Sequence, residues 1–400
     1  MSAYRRETDE ESGMIQKPLA DIGPDDIQAL IDNEVIESRT LDYKQTLPHP
    51  HPQERVSFLK DVCAFANTDG GDLLFGIAER KEGGTNTGIP ESVVGLSEYV
   101  HDPAVRRLDE IVRNGLKPRL MGVRYKELNH SAGQVLLMRI ERGFNRPHIV
   151  AGDEMRFWGR DSMSNFILDA DQLRRLFLGS TELPTAICRF RTERNERIMS
   201  GETPFRLWQS GKVVLHILPL RAFELGATVD VTQDLTQLVP LGARSWDGRF
   251  NLDGYVSCSE TIEQGVRAYT QLFRNGCIEA VDSGLLLTTD ERRKILAANG
   301  IVEYAIPAVK RYIKLLESLG CPGPYAILLS LLGVHEYYIP DLNGFSERKV
   351  DRPILLLPDV LISEHPQSYC DALRPVFDSL WQASGWRQWQ SYSEAKKLFE

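Results

Sequence analysis

The chain has 400 residues, 42% hydrophobic and 26% charged, with a formal net charge of −9. Such a length calls for two or three domains with ordinary cores. The longest apolar runs, Ala326–Val334 and the stretch around Ile354–Pro358, fall short of the roughly 20 residues a membrane span needs. Met1 to Asp21 has no apolar signal core, so a cytoplasmic protein without membrane contact is expected.

The six cysteines form no C-x-x-C pair and read as buried free thiols. The net acidity speaks against indiscriminate binding to polyanions. Its distribution is uneven: residues 1–103 hold 9 Lys/Arg and 20 Asp/Glu, residues 104–210 hold 19 and 13, and residues 211–400 hold 19 and 23. Arginine dominates the basic middle, and its planar fork suits phosphate. Arg113, Arg119, Arg124, Arg146 and Arg160 are the candidate nucleic-acid contacts. A mixed solvated surface is the other reading of the same charges.

In chain order, residues 1–20 read as a disordered arm. Gly23-Pro24-Asp25 opens a short helix to about Asn33. Thr40–Thr46 alternates apolar and polar as a half-buried strand does. From Gln53 the residues Val56, Leu59, Val62, Cys63 and Ala66 recur at helical spacing, up to the turn Asn67-Thr68-Asp69-Gly70-Gly71. Asp72–Ala78 reads as a buried strand, and Glu79–Gly95 as a glycine-rich loop. His101–Leu116 is an amphipathic helix. Leu120–Leu128 and Gln134–Glu141 form a hairpin, and His148–Val150 and Glu154–Trp158 a second short pair. Asp169–Leu178 is a helix stopped at Gly179, and 181–210 a helical linker.

The pattern restarts after Gly211. Strands are expected at Lys212–Leu218, Gly254–Ser259, Tyr269–Phe273, Cys277–Val281 and Ile354–Leu357. Helices are expected at Ile301–Leu319 and Ser368–Ser384, with Tyr325–Val334 strand or helix. The expected fold class is α+β throughout: a nucleic-acid-binding domain over 21–180 and a second α+β domain over 211–400. The second carries no motif with chemistry, and no P-loop occurs anywhere.

Three acids stand at strand ends: Glu37 before the first strand, Asp42 within it and Glu79 after the second, with Lys44 beside them. If the two strands are parallel neighbours joined by a right-handed crossover, these carboxylates gather at one sheet edge. There they would hold Mg²⁺ or Mn²⁺, which activates water and offsets charge on a phosphate. Surface acids and helix caps give the same spacing.

Glu37-Ser38-Arg39-Thr40-Leu41-Asp42-Tyr43-Lys44 resembles the E-S-x-x-x-E-F-K signature of the Schlafen AlbA_2 family. The block Ala64-Phe65-Ala66-Asn67-Thr68-Asp69-Gly70-Gly71, with Gly76-Ile77 after it, resembles that family's A-F-A-N-T-x-G-G core and G-[IV] strand end. Pro118, Arg146-Pro147 and Phe157–Ser162 fit weaker downstream features, so the resemblance covers about 25–180. It implies a mixed sheet with flanking helices that grips structured RNA such as tRNA and, in mammalian members, cleaves it with three acids. On the motif these fall on Glu37, Asp42 and Glu79, with Asp42 where Glu is usual and Glu79 in place of an Asp.

Three functions follow as expectations. The first is a metal-dependent endoribonuclease, an effector of defence. The second is a non-catalytic DNA- or RNA-binding regulator. The third is a sensing or assembly protein acting through residues 211–400, where Trp381, Trp386 and Trp389 are either a partner surface or the packing of a terminal helix. Mammalian Schlafens enclose RNA with two lobes, as the resemblance implies. This chain has one motif set, so a homodimer is expected, the alternative being residues 211–400 as a degenerate second lobe.

Overall fold

A computed structural model describes residues 15, 17, 19–96, 101–152, 156–162, 164–224, 226–286, 294–340, 348–363 and 365–400. Most of the arm expected over 1–20, and Glu154 of the second short pair, lie outside these residues. The fold is α+β, and contacts divide it into two units, Met1–Glu182 and Leu183–Glu400.

In the first unit, helix α1 (Pro24–Asp32) precedes strand β1 (Leu41–Lys44), helix α2 (Pro52–Asn67) and strand β2 (Gly71–Phe75). β1 and β2 are parallel, with Asp42 opposite Leu73 and Lys44 opposite Phe75. α2 is their crossover, as parallel neighbours require. Gly76, at φ +99°, ends β2, and the chain continues as a hairpin of β3 (Ile77–Glu82) and β4 (Thr85–Val93). The glycine-rich loop expected over Glu79–Gly95 is therefore largely paired strand. Its glycines serve the turn, where Gly83 and Gly84 both take positive φ.

Helix α3 (His101–Gly115) leads to β5 (Leu116–Lys117), β6 (Val123–His130) and β7 (Gly133–Ile140). The main sheet has the order β1-β2-β7-β6. β8 (Ile149–Val150) pairs with β5, and β9 (Trp158–Arg160) with β10 (Asn165–Ile167). Among the described residues β8 pairs with Leu116–Lys117, and Trp158 of the expected partner pairs with Ile167.

Strand alternation divides the core. Leu41, Tyr43, Leu74 and Leu137 face Ile27 of α1, whereas Leu73, Phe75 and Met138 face Phe58, Val62 and Phe65 of α2. On the α1 side, Asp72 of β2 and Arg139 of β7 form a buried two-pronged ion pair (2.7 and 2.8 Å). The same guanidinium donates to the carbonyls of Ile15 (3.1 Å) and Lys17 (2.8 Å).

The Asn67–Gly71 turn is structural. Asn67 Nδ2 donates to the carbonyls of His148 and Trp158, and Thr68 Oγ1 closes α2 on Ala64 O. Gly70 has φ +77°, and a Cβ there would lie 2.6 Å from Ile140 O. Gly70→Ala is expected to destabilise the first unit by about 1–3 kcal/mol, from left-handed backbone strain and the carbonyl contact. An unchanged urea midpoint would contradict this.

Helix α4 (Ala170–Ser200) runs on through Gly179, where a stop was expected, and past Pro184. Its second half belongs to the second unit. Arg191 and Asn195 are buried there, together with Ile198, so 183–200 is packed structure.

The second unit holds β11 (Lys212–Pro219), β12 (Trp246–Asn251), β13 (Gly254–Ser259), β14 (Thr261–Ile262), β15 (Gly265–Val266), β16 (Ala268–Phe273) and β17 (Ile278–Asp282). Helix α5 (Ala298–Ser318), strands β18 (Tyr325–Leu332), β19 (Ile354–Leu356) and β20 (Val360–Ile362), and helices α6 (Tyr369–Gln382) and α7 (Tyr392–Phe399) complete it. One large sheet has the order β12-β13-β16-β17-β11-β18, and both β19 and β20 pair with β18. Tyr325–Leu332 is thus a strand, buried along its whole length.

α5 packs on one face through Ile306, Val309 and Ile313, with α6 and α7 beside it. Trp381 and Trp389 are buried in that core, which is the packing reading of the tryptophan group. The opposite face carries an ionic cluster. Arg194 of α4 grips Glu279 of β17 through Nε (2.7 Å) and a terminal nitrogen (2.8 Å). His216 Nε2 (3.1 Å) and Tyr269 Oη (2.8 Å) contact the same carboxylate. Arg191 donates to Ser330 Oγ, Asp359 and the carbonyls of Leu329 and Leu357. Of the six cysteines, only Cys188 is exposed.

Candidate nucleic-acid interface and acidic cluster

Alternation along β1 turns Asp42 and Lys44 away from α1 and toward α2. Asp42 is only 2% exposed. Its Oδ2 lies 2.7 Å from Lys44 Nζ, as an ion contact rather than an aligned hydrogen bond. Its Oδ1 lies 3.4 Å from the Arg160 guanidinium. Lys44 Nζ is also 3.6 Å from Asp61 Oδ2 on α2, and Asp61 Oδ1 accepts from Asn165 Nδ2 at 2.6 Å.

Glu37 closes the cluster from before β1. Its Oε1 accepts from Tyr43 N at 2.9 Å, and its carboxyl interacts with that of Asp42. Gly88 of β4 ties Glu37 to Glu79. Glu37 N–H donates to Gly88 O (2.8 Å) and Gly88 N–H donates to Glu79 Oε2 (3.2 Å). Asn86 Nδ2 holds the other Glu79 oxygen at 2.8 Å. With φ +73° and the Glu37 Cβ just 3.4 Å from where its own Cβ would stand, position 88 suits glycine.

Burial, then the hydrogen bond and charge of Asp42, push the Glu37 carboxyl up to about 9. Asp42 goes the other way. Burial alone would raise it, but the bond from Glu37 and the charges of Lys44 and Arg160 outweigh that and hold it below its ordinary value. The two carboxyls titrate as a coupled pair, with Glu37 shifted up and Asp42 down. Burial also raises Asp61 and Glu79. Lys44 stays charged, because Asp61 and Asp42 outweigh its own desolvation.

The four residues singled out from sequence, Glu37, Asp42, Lys44 and Glu79, thus lie in one neighbourhood. A Mg²⁺ or Mn²⁺ ion needs several deprotonated oxygens around one point. Here Lys44 Nζ lies 2.7 Å from Asp42 Oδ2, and Gly88 N–H and Asn86 Nδ2 hold the two Glu79 oxygens. Among the described residues, no three His, Cys, Asp or Glu side chains are grouped to hold a metal.

Asp61 and Asn165 were not foreseen. The available signal was helical: Asp61 falls between Phe58 and Phe65 on the stripe of α2 that faces the sheet. A carboxylate in such a stripe needs a partner, and Lys44 and Asn165 supply it.

The arginines separate. Arg160 is 4% exposed and belongs to the acidic cluster. It donates to Ser38 O (3.0 Å) and Leu41 O (3.3 Å), and it stacks on Phe65 with 4.8 Å to the ring centre. Arg124 pairs with Glu141 at 2.6 Å. Arg113 and Arg119 are exposed and Arg146 half-buried. The β5–β8 pairing and a 2.8 Å contact of His148 Nδ1 with Pro118 O bring 113–119 alongside 146–150.

No curated protein matches this chain. One similar solved structure is the N-terminal domain of a RecG-related protein from Nitrosomonas europaea. It is 17% identical, over 37% of this chain and 93% of that one, with a TM-score of 0.28. Another is the DIP2311 protein of Corynebacterium diphtheriae, 15% identical over 36% of this chain and 26% of that one, with a TM-score of 0.25. Residues 37–168, which span the acidic cluster and the arginines beside β5 and β8, match the family described as Schlafen, AlbA_2, so the first unit of this chain carries a Schlafen AlbA_2 domain.

Proposed function

We propose that this protein binds nucleic acid through its first unit, and that structured RNA of the tRNA kind is the preferred partner over DNA. The observation that carries the reading is the separation of charge. Asp42 turns inward onto Lys44 and Arg160 and Asp61 onto Lys44, while Arg113, Arg119 and Arg146 gather around β5 and β8 within the matched family segment. Arginines so placed meet phosphates.

Affinity is then set by counterion release. The log–log slope of affinity against salt scales with the number of phosphates contacted, at about 0.7–0.9 per contact. Fluorescence anisotropy of labelled tRNA over a salt series measures it. The combined Arg113→Glu, Arg119→Glu and Arg146→Glu variant is expected to weaken binding and to flatten the slope by about 2–3. An unchanged slope would make these arginines merely solvated, and tighter binding to duplex DNA would reverse the preference for RNA.

A second reading, endonucleolytic cleavage of the bound RNA, is favoured by the Glu37–Asp42 pair. Two carboxyls driven apart in acidity beside a lysine are a common mark of a reactive site. Incubation with total tRNA and Mn²⁺, with and without chelator, tests it. Intact tRNA under all conditions would leave a binding protein without cleavage. A role in defence rests on this second reading.

A further inference from the structure

β12 ends the large sheet, and among the described residues it is paired on one side only, by β13. Open edges in natural proteins are usually blunted by proline, by charge of one sign or by a cover. Among the described residues β12 has no proline, carries charge of both signs and has no second strand beside it, although Arg249 donates to Pro204 O (3.2 Å) and lies over the Phe205 ring (4.5 Å to its centre). Trp246 and Phe250 are 41% and 59% exposed, and Asp247 and Arg249 between them are exposed with opposite charges.

The five residues Trp246-Asp247-Gly248-Arg249-Phe250 run aromatic, acid, glycine, base, aromatic. That order is its own complement when a strand meets a copy of itself head to tail. In an antiparallel pair, directly opposed residues point their side chains to the same face, so a two-fold axis lies midway between two copies of one residue. Centred on Gly248, it sets each Asp247 opposite the other copy's Arg249 and each Trp246 opposite the other copy's Phe250. Centred on Asp247 or Arg249, it sets like charges face to face. Of these three registers, the charges favour the one centred on Gly248.

Gly248 suits the axis. A Cβ there would stand 2.1 Å from Tyr255 Oη on β13, so the position admits no side chain that could crowd the crossing point. Its N–H is engaged only locally among the side-chain contacts, by Asp247 Oδ1 at 2.7 Å. A recess of about 600 Å³, lined by Phe205, Trp246, Arg249 and Cys258 among others, runs along the strand and offers room for apolar side chains of a second copy.

We propose that β12 is a self-pairing edge, through which two copies of this chain join their large sheets about a two-fold axis at Gly248. Cross-strand aromatic and opposite-charge pairs supply the specificity, each occurring twice by symmetry.

The test is a charge exchange in the full-length protein, read as mass by light scattering at micromolar concentration. The natural chain is expected at twice the 45.3 kDa of one copy. Asp247→Arg alone and Arg249→Asp alone set like charges opposite each other and are expected to weaken the dimer by about tenfold or more, giving the single-copy mass. The double variant restores every pair and is expected to dimerise. Mixing the two single variants is expected to form a mixed dimer, since one copy is basic and the other acidic at both positions. A mixed dimer also requires both variants to be folded. A natural chain at the single-copy mass would overturn the proposal. So would single variants that remain dimeric, or a double variant and a mixture that both stay monomeric.

Discussion

Replacing Arg194 by Ala is expected to destabilise the second unit by about 3–5 kcal/mol, the range for stripping one partner from a buried ion pair. Glu279 is fully buried on β17, and among the described residues Arg194 is the one cation of fixed charge paired with it. Without it, His216 and Tyr269 are left to solvate a carboxylate that water cannot reach. Five of the six tryptophans lie in this unit, so their fluorescence in urea reports the loss directly. Replacing both partners with apolar residues of similar volume is expected to cost far less, since no charge is then orphaned. The pH dependence has a fixed sign. Burial would raise Glu279, but Arg194 and His216 outweigh it and bring the carboxyl down to about 2, below its ordinary 4.5. A lowered folded value means the unfolded chain takes the proton first. The stabilisation is whole above about pH 4.5 and drains away as pH falls toward 2. Arg194→Ala should flatten that acid limb. A limb identical to that of the natural protein would contradict the assignment.

The second large effect lies in the acidic cluster. The Glu37 carboxyl is expected to titrate near pH 9, and Asp42→Asn to bring that value down by about tenfold or more in acid constant, the effect of losing a neighbouring like charge. Asp42 raises Glu37 through both its charge and its hydrogen bond. Burial, the larger cause, remains in the variant, so the value should stop above the usual carboxylate range. Carbon-13 resonances of the glutamate carboxyls follow it site by site. For stability the sign is opposite to that of Glu279. Glu37 has a raised folded value, so its contribution is complete below about pH 4.5 and is lost as pH rises through 9. A Glu37 resonance that titrates at its ordinary value in the natural protein would remove the coupled pair and, with it, the second reading of function.

The legible parts of this fold were those written locally. The α2 stripe and the Asn67–Gly71 turn specify a helix, its stop and the parallel strand after it within 24 residues. Glu37, Asp42, Lys44 and Glu79 could be named for the same reason, since they flank that unit. What the sequence hid depended on distant partners. The β3–β4 hairpin looked like a loop because its glycines disguise strand pairing, although Gly88 is the residue that brings Glu37 and Glu79 together. Asp61 was invisible as a site residue because its partners Lys44 and Asn165 come from other elements. Arg160 was grouped with the surface arginines because composition cannot tell a buried guanidinium from an exposed one. α4 was expected to stop at Gly179, since its continuation is secured by Arg191 and Arg194 in the sheet of the second unit. β12 carries exposed side chains on both faces, so no apolar alternation marked it.

The Arg139–Asp72 pair also decides where this domain can be excised. The family match begins at residue 37, yet the Arg139 fork is completed by the carbonyls of Ile15 and Lys17, and Ile27 of α1 covers Leu41 and Tyr43. A piece cut at the start of the match would leave a buried guanidinium short of two acceptors and half of the main sheet without its lid. A form of the first unit that keeps these contacts therefore begins no later than Ile15, with the motif at Glu37–Lys44 well away from its first residue.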